Sequence, residues 1–425
     1  MFRYSFIIAS FAVIAQLLGI LRDRLLAQNV GVGQLLDIYN ASFRIPDLAL
    51  GIMLSFAAAG TVIPFISKSI SSNNKEELSM RFNSLFYFFG MMMIIICGIV
   101  FVTLPFYASF FVPGFTPDQT DKYIFFTRIL LIQPILLGFS SLISCLAQAR
   151  NEFLLFCTAP LIYTVSIIIS IITLYPHMGL LGIIIGVVIG AALHLGLQSF
   201  TFIKHPIKIT RKHFSIGFVK EHLHISVPRS GSFIINQIRV LFFTGFATLF
   251  GAGALTVYLF AQKIIDAGLT VISQSFSSGS LPRLADHIDR GDIVGFKKTF
   301  FHNAGLVFIL AILFAGFCYY FPHLVVNLLY GKTPRNVDII TILRLIIISM
   351  PLHALGWYTI AAFNATKDTK SIFYSNIVST AIAVGVCFYY KSQGLGLISL
   401  AYGIISMNIS FIVCLLFFFQ RKRLK

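Results

Sequence analysis

Residues 85–104 read LFYFFGMMMIIICGIVFVTL, an apolar run without a single Asp, Glu, Lys or Arg. Wound as an α-helix at 1.5 Å per residue, such a run covers roughly 30 Å, the thickness of a bilayer's hydrocarbon layer. The rest of the chain has the same character. Of 425 residues, 57% are hydrophobic and 45 are Phe, and the mean hydropathy is +0.88. Only 11% are charged, against roughly 25% in soluble domains. A soluble core of this size would still need a polar coat to face water. Composition therefore specifies an all-α, polytopic membrane protein.

Working outward from that run, helices are predicted near 4–30, 37–66, 80–110, 122–148, 155–174 and 180–203, then 223–248, 254–281, 297–328, 336–363, 371–390 and 395–420. That is about twelve transmembrane helices, the first of them a retained helix beginning at the apolar run from Phe6. Turn-rich breaks separate them: Gly31-Val32-Gly33, Ser71-Ser72-Asn73-Asn74 and Pro113-Gly114 in the first half, Gly251-Ala252-Gly253, Asp289-Arg290-Gly291-Asp292 and Gly331-Lys332 in the second.

The net charge of +17 lies mostly in short connections between apolar runs, which suits a membrane surface rather than nucleic acid. With both termini cytoplasmic, only Lys122, Lys332, Arg335 and Lys391 fall in outside segments, whereas twenty Lys and Arg fall inside. The positive-inside rule thus orients the chain and favours an even helix count. The longest basic connector, 206–222, divides the chain into a six-helix lobe at 1–205 and another at 223–425. Its basic residues read as a surface facing solvent and lipid headgroups.

The second half echoes the first. An offset of 217 carries Pro105 to Pro322, Gly114 to Gly331, Pro117 to Pro334, Asp121 to Asp338, Pro134 to Pro351 and Arg150 to Lys367. Near the start the offset drifts to 219 or 220, taking Arg44 to Lys263, Asp47 to Asp266 and the Gly31-x-Gly33 pair to Gly251-x-Gly253. Two lobes that each begin inside imply a parallel repeat, with alternating access by rocking of one lobe against the other. Prolines 46, 134, 228 and 351 are expected to bend or interrupt their helices.

Eight cations fall inside the predicted spans: Arg22, Arg24, Arg44, Arg128, Arg229, Arg239, Lys263 and Arg344. Against them stand four anions, Asp23, Asp37, Asp47 and Asp266, leaving a formal excess of +4. An Arg or Lys at the centre of a span costs about 2.5–3.5 kcal/mol on insertion scales, so these side chains must snorkel, pair or line water. Arg24, Arg128, Arg229 and Arg239 are open to snorkelling. Arg44, seven residues after Asp37 and three before Asp47, is expected to share one side of the second helix with both. Lys263 and Asp266 repeat the i, i+3 pattern. Packing ion pairs are one reading; binding of an anionic cargo is the other, since a cationic excess survives pairing. A pyrophosphate suits that excess, because Arg grips it bidentately while Lys acts as a point charge.

Nothing in the sequence points to an enzyme. There is no Walker loop, no His-Glu-x-x-His and no nucleophile elbow, and no cofactor or metal site is expected. The six cysteines lack a Cys-x-x-Cys pair, and Cys97, Cys157, Cys387 and Cys414 read as small core hydrophobes. Transport would then draw on ion or substrate gradients or membrane potential, with Asp47 and Asp266 as candidates for ion coupling or internal ion pairs.

The run Leu18-Gly19-Ile20-Leu21-Arg22-Asp23, then Gly31-Val32-Gly33, Asp37 and Phe43-Arg44-Ile45-Pro46-Asp47-Leu48, resembles the opening of the MurJ/MviN family, as do Val62-Ile63-Pro64-Phe65 and Val112-Pro113-Gly114-Phe115. The family lies in the multidrug/oligosaccharidyl-lipid/polysaccharide exporter superfamily. Its members are bacterial inner-membrane flippases for lipid II, the lipid-linked precursor of peptidoglycan, and so serve cell-wall biogenesis and cell shape. The resemblance implies substrate-binding roles for Arg22, Asp23, Asp37, Arg44 and Lys263, with a lipid-linked anionic glycan as cargo. The chain departs from the family at Gln16, Leu50 and Ser55-Phe56, where charged residues or a Glu-Gly pair are common, and in showing twelve spans where fourteen are typical. The alternatives are a flippase for another polyprenyl-pyrophosphate-linked oligosaccharide, or a non-transporting membrane scaffold derived from such a transporter.

Overall fold

The computed structural model describes the backbone of residues 2–56, 59–72, 74–207, 209–210 and 214–421, with side chains throughout except at 2–9, 56, 59–61, 64–65 and 225–232. The side chains of Arg3, Pro64, Phe65, Lys208, Arg211, Lys212, His213, Pro228, Arg229, Lys422, Arg423 and Lys425 therefore lie outside the described residues. The described residues form helices and turns, without a strand. They divide into two compact units, Met1–Phe233 and Ile234–Lys425.

In the first unit, α1 (Phe2–Asn29), α2 (Gln34–Ser42), α3 (Arg44–Phe56), α4 (Ala59–Ser71) and α5 (Lys75–Phe111) follow in order. Next come α6 (Pro117–Leu130), α7 (Ile132–Ala149), α8 (Phe153–Thr173), the single turn α9 (Tyr175–Met178) and α10 (Leu180–Lys204). Local chemistry sets several starts. Asn74 caps α5 by accepting from the Glu77 N–H at 3.0 Å, and Thr116 with Gln119 closes a capping box at α6. Met53, Ile66, Phe82, Phe89 and Leu146 form the centre of the apolar core where α3, α4, α5 and α7 pack. The unit boundary falls inside α11 (Ile216–Thr248).

The second unit continues through α12 (Ala254–Leu269), a π-helical turn at 270–274 and α13 (Ser275–Asp289). It ends with α14 (Ile293–Tyr320), α15 (Pro322–Tyr330), α16 (Asn336–Ile347), α17 (Met350–Ala365), α18 (Thr369–Ser392) and α19 (Ile398–Arg421). Among the described residues, eight helical stretches are long and apolar enough to cross a bilayer. The pair α16 and α17, bent by 54°, makes a ninth. The chain is a multi-pass, all-helical membrane protein.

Three of the four predicted breaks appear, whereas α11 runs through Pro228 without interruption. A proline lacks an N–H and crowds the carbonyl four residues earlier. Pro46 therefore splits the expected second helix at Phe43, Pro134 opens the step at Leu131, and Pro351 the step at Ile348 and Ser349. The split at Phe43 puts Asp37 on α2 but Arg44 and Asp47 on α3, so the three do not share one unbroken helix as their spacing suggested. Backbone handedness also echoes between the halves. Gly31 and Gly251 have φ of 84° and 89°, while Asn151 and Lys367 stand at 62° and 57°.

The basic connector is less free than its composition implied. α11 begins at Ile216, inside the expected linker. The connector also docks on α5: Ser215 N–H donates to Ser84 Oγ at 2.8 Å and Thr210 N–H to Asn83 Oδ1 at 3.3 Å. Arg81 lies 5.6 Å from the Phe218 ring centroid.

Candidate functional site

Two clusters of polar side chains lie among the helices, one in each unit. In the first, α1 presents Arg22 and Asp23, α2 presents Asp37 and Tyr39, α3 presents Arg44 and Asp47, α7 presents Gln133 and α8 presents Tyr163. The packing of α1 on α8 and of α3 on α7 gathers the outer members.

Arg22 commits Nε and Nη2 to the same oxygen, Asp23 Oδ1, at 3.0 and 2.9 Å. Nη1 has no hydrogen-bond partner among the described residues. The pair is mostly buried, with side chains 26% and 10% exposed. Tyr39 and Tyr163 lie within electrostatic reach of the guanidinium. Asp37, in the first turn of α2, is buried at 1% exposure; there it faces the positive end of the helix dipole.

Arg44 is half-buried, and its Nε is buried without an acceptor among the described residues. Asp47 lies within electrostatic reach of Arg44 and Arg22 and beside the Gln133 amide. No carboxylate among the described residues comes within 4.0 Å of Arg44. With its Nε buried and without an acceptor, Arg44 retains the capacity to bind an anion, because a buried N–H left without a partner is costly.

In the second unit, Lys263 is half-buried, with Nζ 5.6 Å from the Phe260 ring centroid. Asp266 is exposed and accepts from Gln262 Nε2 at 2.9 Å. Arg239 does not simply reach for an interface. Its Nη2 donates to Asn236 Oδ1, and Tyr258, Asp266 and His353 lie within its electrostatic reach.

Sequence spacing thus located the charges, and the fold brings Arg22, Asp23, Arg44 and Asp47 together in one unit. Tyr39, Gln133, Tyr163, Asn236, Tyr258 and His353 were missed. Gln133 and His353 carried a visible signal, a polar residue within two positions of a span-breaking proline. The tyrosines carried none, since Tyr is ordinary in membrane helices.

The model of the family described as lipid II flippase MurJ matches residues 26–425. The chain belongs to the MurJ family. Among MurJ relatives, a probable lipid II flippase of Rickettsia prowazekii (strain Madrid E) is 24% identical over 398 residues, 89% of this chain and 77% of that protein. Another, from Buchnera aphidicola subsp. Acyrthosiphon pisum (strain APS), is 23% identical over 381 residues, covering 85% and 71%. A solved lipid II flippase MurJ in an inward closed conformation superposes with a TM-score of 0.83 at 16% identity, covering 98% of this chain and 87% of that one. A multidrug-resistance MATE transporter of the MOP superfamily gives 0.81 at 17% identity, covering 96% and 94%. The two structures share the fold, which places MurJ and MATE proteins on one scaffold. The MurJ match begins after Arg22 and Asp23 and includes Asp37, Arg44, Asp47, Lys263 and Asp266.

Proposed function

We propose that this MurJ-family protein is a lipid II flippase of the bacterial cytoplasmic membrane, moving the lipid-linked peptidoglycan precursor outward by alternating access. The observation that carries the reading is Arg44, whose buried Nε has no acceptor and which has no ion-pair carboxylate among the described residues. Arg22, held on one edge by Asp23, adds a second guanidinium to the same unit. Together they suit a pyrophosphate, which offers several oxygens to forked donors. Asp37 fixes the entry of α2, and Lys263 is the corresponding cargo-binding position of the second unit. Asp47 and Asp266 serve as ion-pair or coupling carboxylates.

Both termini are cytoplasmic on this reading, as the cation distribution requires, and the chain forms two lobes of six helices each, 1–205 and 223–425, joined at 206–222. The paired breaks before Pro134 and Pro351 and the matching left-handed residues support the repeat. No nucleotide hydrolysis or cofactor is involved; the membrane potential or an ion gradient supplies the drive.

The test is translocation of lipid II by the purified chain in reconstituted vesicles. Arg44→Ala and Lys263→Ala should each abolish it without loss of membrane-inserted protein, and Arg44→Lys should retain part of it. Undiminished flipping by both alanine variants would overturn the assignment.

A further inference from the structure

The link between α14 and α16 contains a helix too short to cross a bilayer. α15 has 9 residues, roughly 14 Å at 1.5 Å per residue, against roughly 30 Å of hydrocarbon. It follows directly on α14, which is long and apolar enough to span. Only residues 331–335 separate it from α16, which forms the bent span with α17. α15 therefore sits where two crossings end, at the level where membrane meets water. Side chains on both flanks mark that level. Tyr319 and Tyr320 close α14 and are exposed, as in the aromatic belts of membrane proteins. Beyond α15, Lys332 is exposed and Arg335 pairs with Asp338 at 3.0 Å, charges that hydrocarbon disfavours.

The helix divides lengthwise into three faces. Pro322, Val326 and Tyr330, spaced by four, are buried. The Tyr330 ring stacks on Phe260 at 4.0 Å, and its hydroxyl donates to the Phe260 carbonyl at 2.9 Å. That face fixes α15 to its own unit. A narrow polar face holds His323 and Asn327, whose Oδ1 accepts from Asn336 Nδ2 at 2.7 Å. The third face is apolar. Phe321, Leu324 and Leu328 recur at i, i+3 and i+7, the spacing of one helix side, and are 57%, 57% and 65% exposed.

We propose that α15 is an interfacial anchor whose Phe321, Leu324 and Leu328 face inserts among lipids at the boundary of headgroups and acyl chains. Two observations favour lipid over a protein partner. The face continues the exposed apolar side of the α14 span, where Leu313, Phe317 and Tyr320 stand outward. The Phe317 and Phe321 rings, 5.6 Å apart, join the two. Three side chains also present roughly a few hundred Å², whereas a stable protein interface takes roughly 800 Å² from each partner. A helix with one apolar and one polar face lies in the plane of the membrane surface. α15 thereby holds this end of the second unit at a fixed depth, whatever the cargo.

Trp357 is the sole tryptophan of the chain, so a Trp357→Phe background permits single-tryptophan probes. Leu324→Trp, Leu328→Trp and, as a water-side reference, Lys332→Trp are each reconstituted as the full chain in phosphatidylcholine vesicles. Emission from positions 324 and 328 should lie to the blue of that from 332. Lipids brominated near the carbonyl end of their acyl chains should quench both more than lipids brominated near the terminal methyl. Aqueous iodide should quench both less than the reference. Iodide quenching equal to that of the reference would overturn the proposal, because the face would then lie in water. Stronger quenching by the deep bromines would overturn it by placing α15 within the hydrocarbon. Insensitivity of both positions to brominated lipid would do so too, since protein, a second copy or another partner, would then cover the face.

Discussion

Arg128 Nε donates a 2.9 Å hydrogen bond to the carbonyl of Phe101, the acceptor that Pro105, four residues on, deprives of its helical N–H. The guanidinium carbon also lies 4.8 Å from the Phe101 ring centroid, within cation–π range. An arginine inside a span thus finds a structural partner instead of snorkelling, and α5 continues unbroken through Pro105 to Phe111. The repeat-related proline behaves differently. α14 stops at Tyr320, and Pro322 opens α15. Arg344 lies over the Tyr319 ring at 5.9 Å, and among the described residues it donates to no carbonyl.

Arg128→Leu should therefore destabilise the protein by about 1.5–3 kcal/mol, the usual worth of a hydrogen bond to a charged group. In a Pro105→Ala background the same change should cost much less, because the restored Ala N–H can satisfy Phe101. Unfolding of the four variants by dodecyl sulfate in mixed micelles measures this coupling. Equal costs in both backgrounds would show that the arginine does not repair the proline's gap.

The Arg22–Asp23 pair predicts a different asymmetry. Removing one partner of a buried ion pair costs roughly 3–5 kcal/mol because the other charge is stranded, and the partial exposure of Arg22 lowers that figure here. Asp23→Asn alone should therefore destabilise more than Asp23→Asn combined with Arg22→Gln. The double variant should regain stability yet fail to translocate lipid II. If it translocates normally, Arg22 serves packing rather than cargo.

These relationships explain what the sequence could and could not reveal. Helix positions were legible because an apolar run of bilayer length has few alternatives in water or lipid, and the breaks were legible because proline acts on a carbonyl at a fixed distance along the chain. Arg44 and Asp47 were legible as charges that hydrocarbon does not tolerate. The Arg128 bond was hidden, since it joins residues 27 apart through a backbone carbonyl whose need arises from a third residue. The contact of Ser140 with His194 was hidden for a related reason: the two lie 54 residues apart on α7 and α10, and only packing brings them together.

Outside the spans, pH sensitivity resides at the turn between α13 and α14. Asp292 Oδ1 accepts from the Gly295 N–H at 2.8 Å, and Oδ2 lies 2.8 Å from His287 Nδ1. The backbone bond, with the histidine second, holds the Asp292 carboxyl below the usual carboxylate range. A depressed folded value stabilises the turn above the ordinary pKa of about 3.9 and loses that contribution as pH falls through the folded value. The Gly295 amide should stay protected from hydrogen exchange across neutral and mildly acid pH, losing protection only below the ordinary carboxylate range. Asp292→Ala should speed exchange throughout and abolish the acid transition. An acid transition that persists in Asp292→Ala would show that this carboxyl does not hold the cap.

Close packing of α8 on α10 makes the sharpest steric prediction. A Cβ built on Gly186 would lie 2.1 Å from Ser170 Oγ and 2.2 Å from its Cβ, so the helices meet through a missing side chain, as membrane helices commonly do. Ser170 is itself buried, and its hydroxyl donates to the Ile167 carbonyl at 2.7 Å. Gly186→Ala should cost about 1–3 kcal/mol, the range for overpacking a filled interior. Ser170→Ala should not rescue it, because the offending Cβ remains, whereas Ser170→Gly should recover most of the loss. Unfolding by dodecyl sulfate again reads the result. Rescue by Ser170→Ala as complete as by Ser170→Gly would place the clash at the hydroxyl alone and leave the backbone approach of the two helices unsupported.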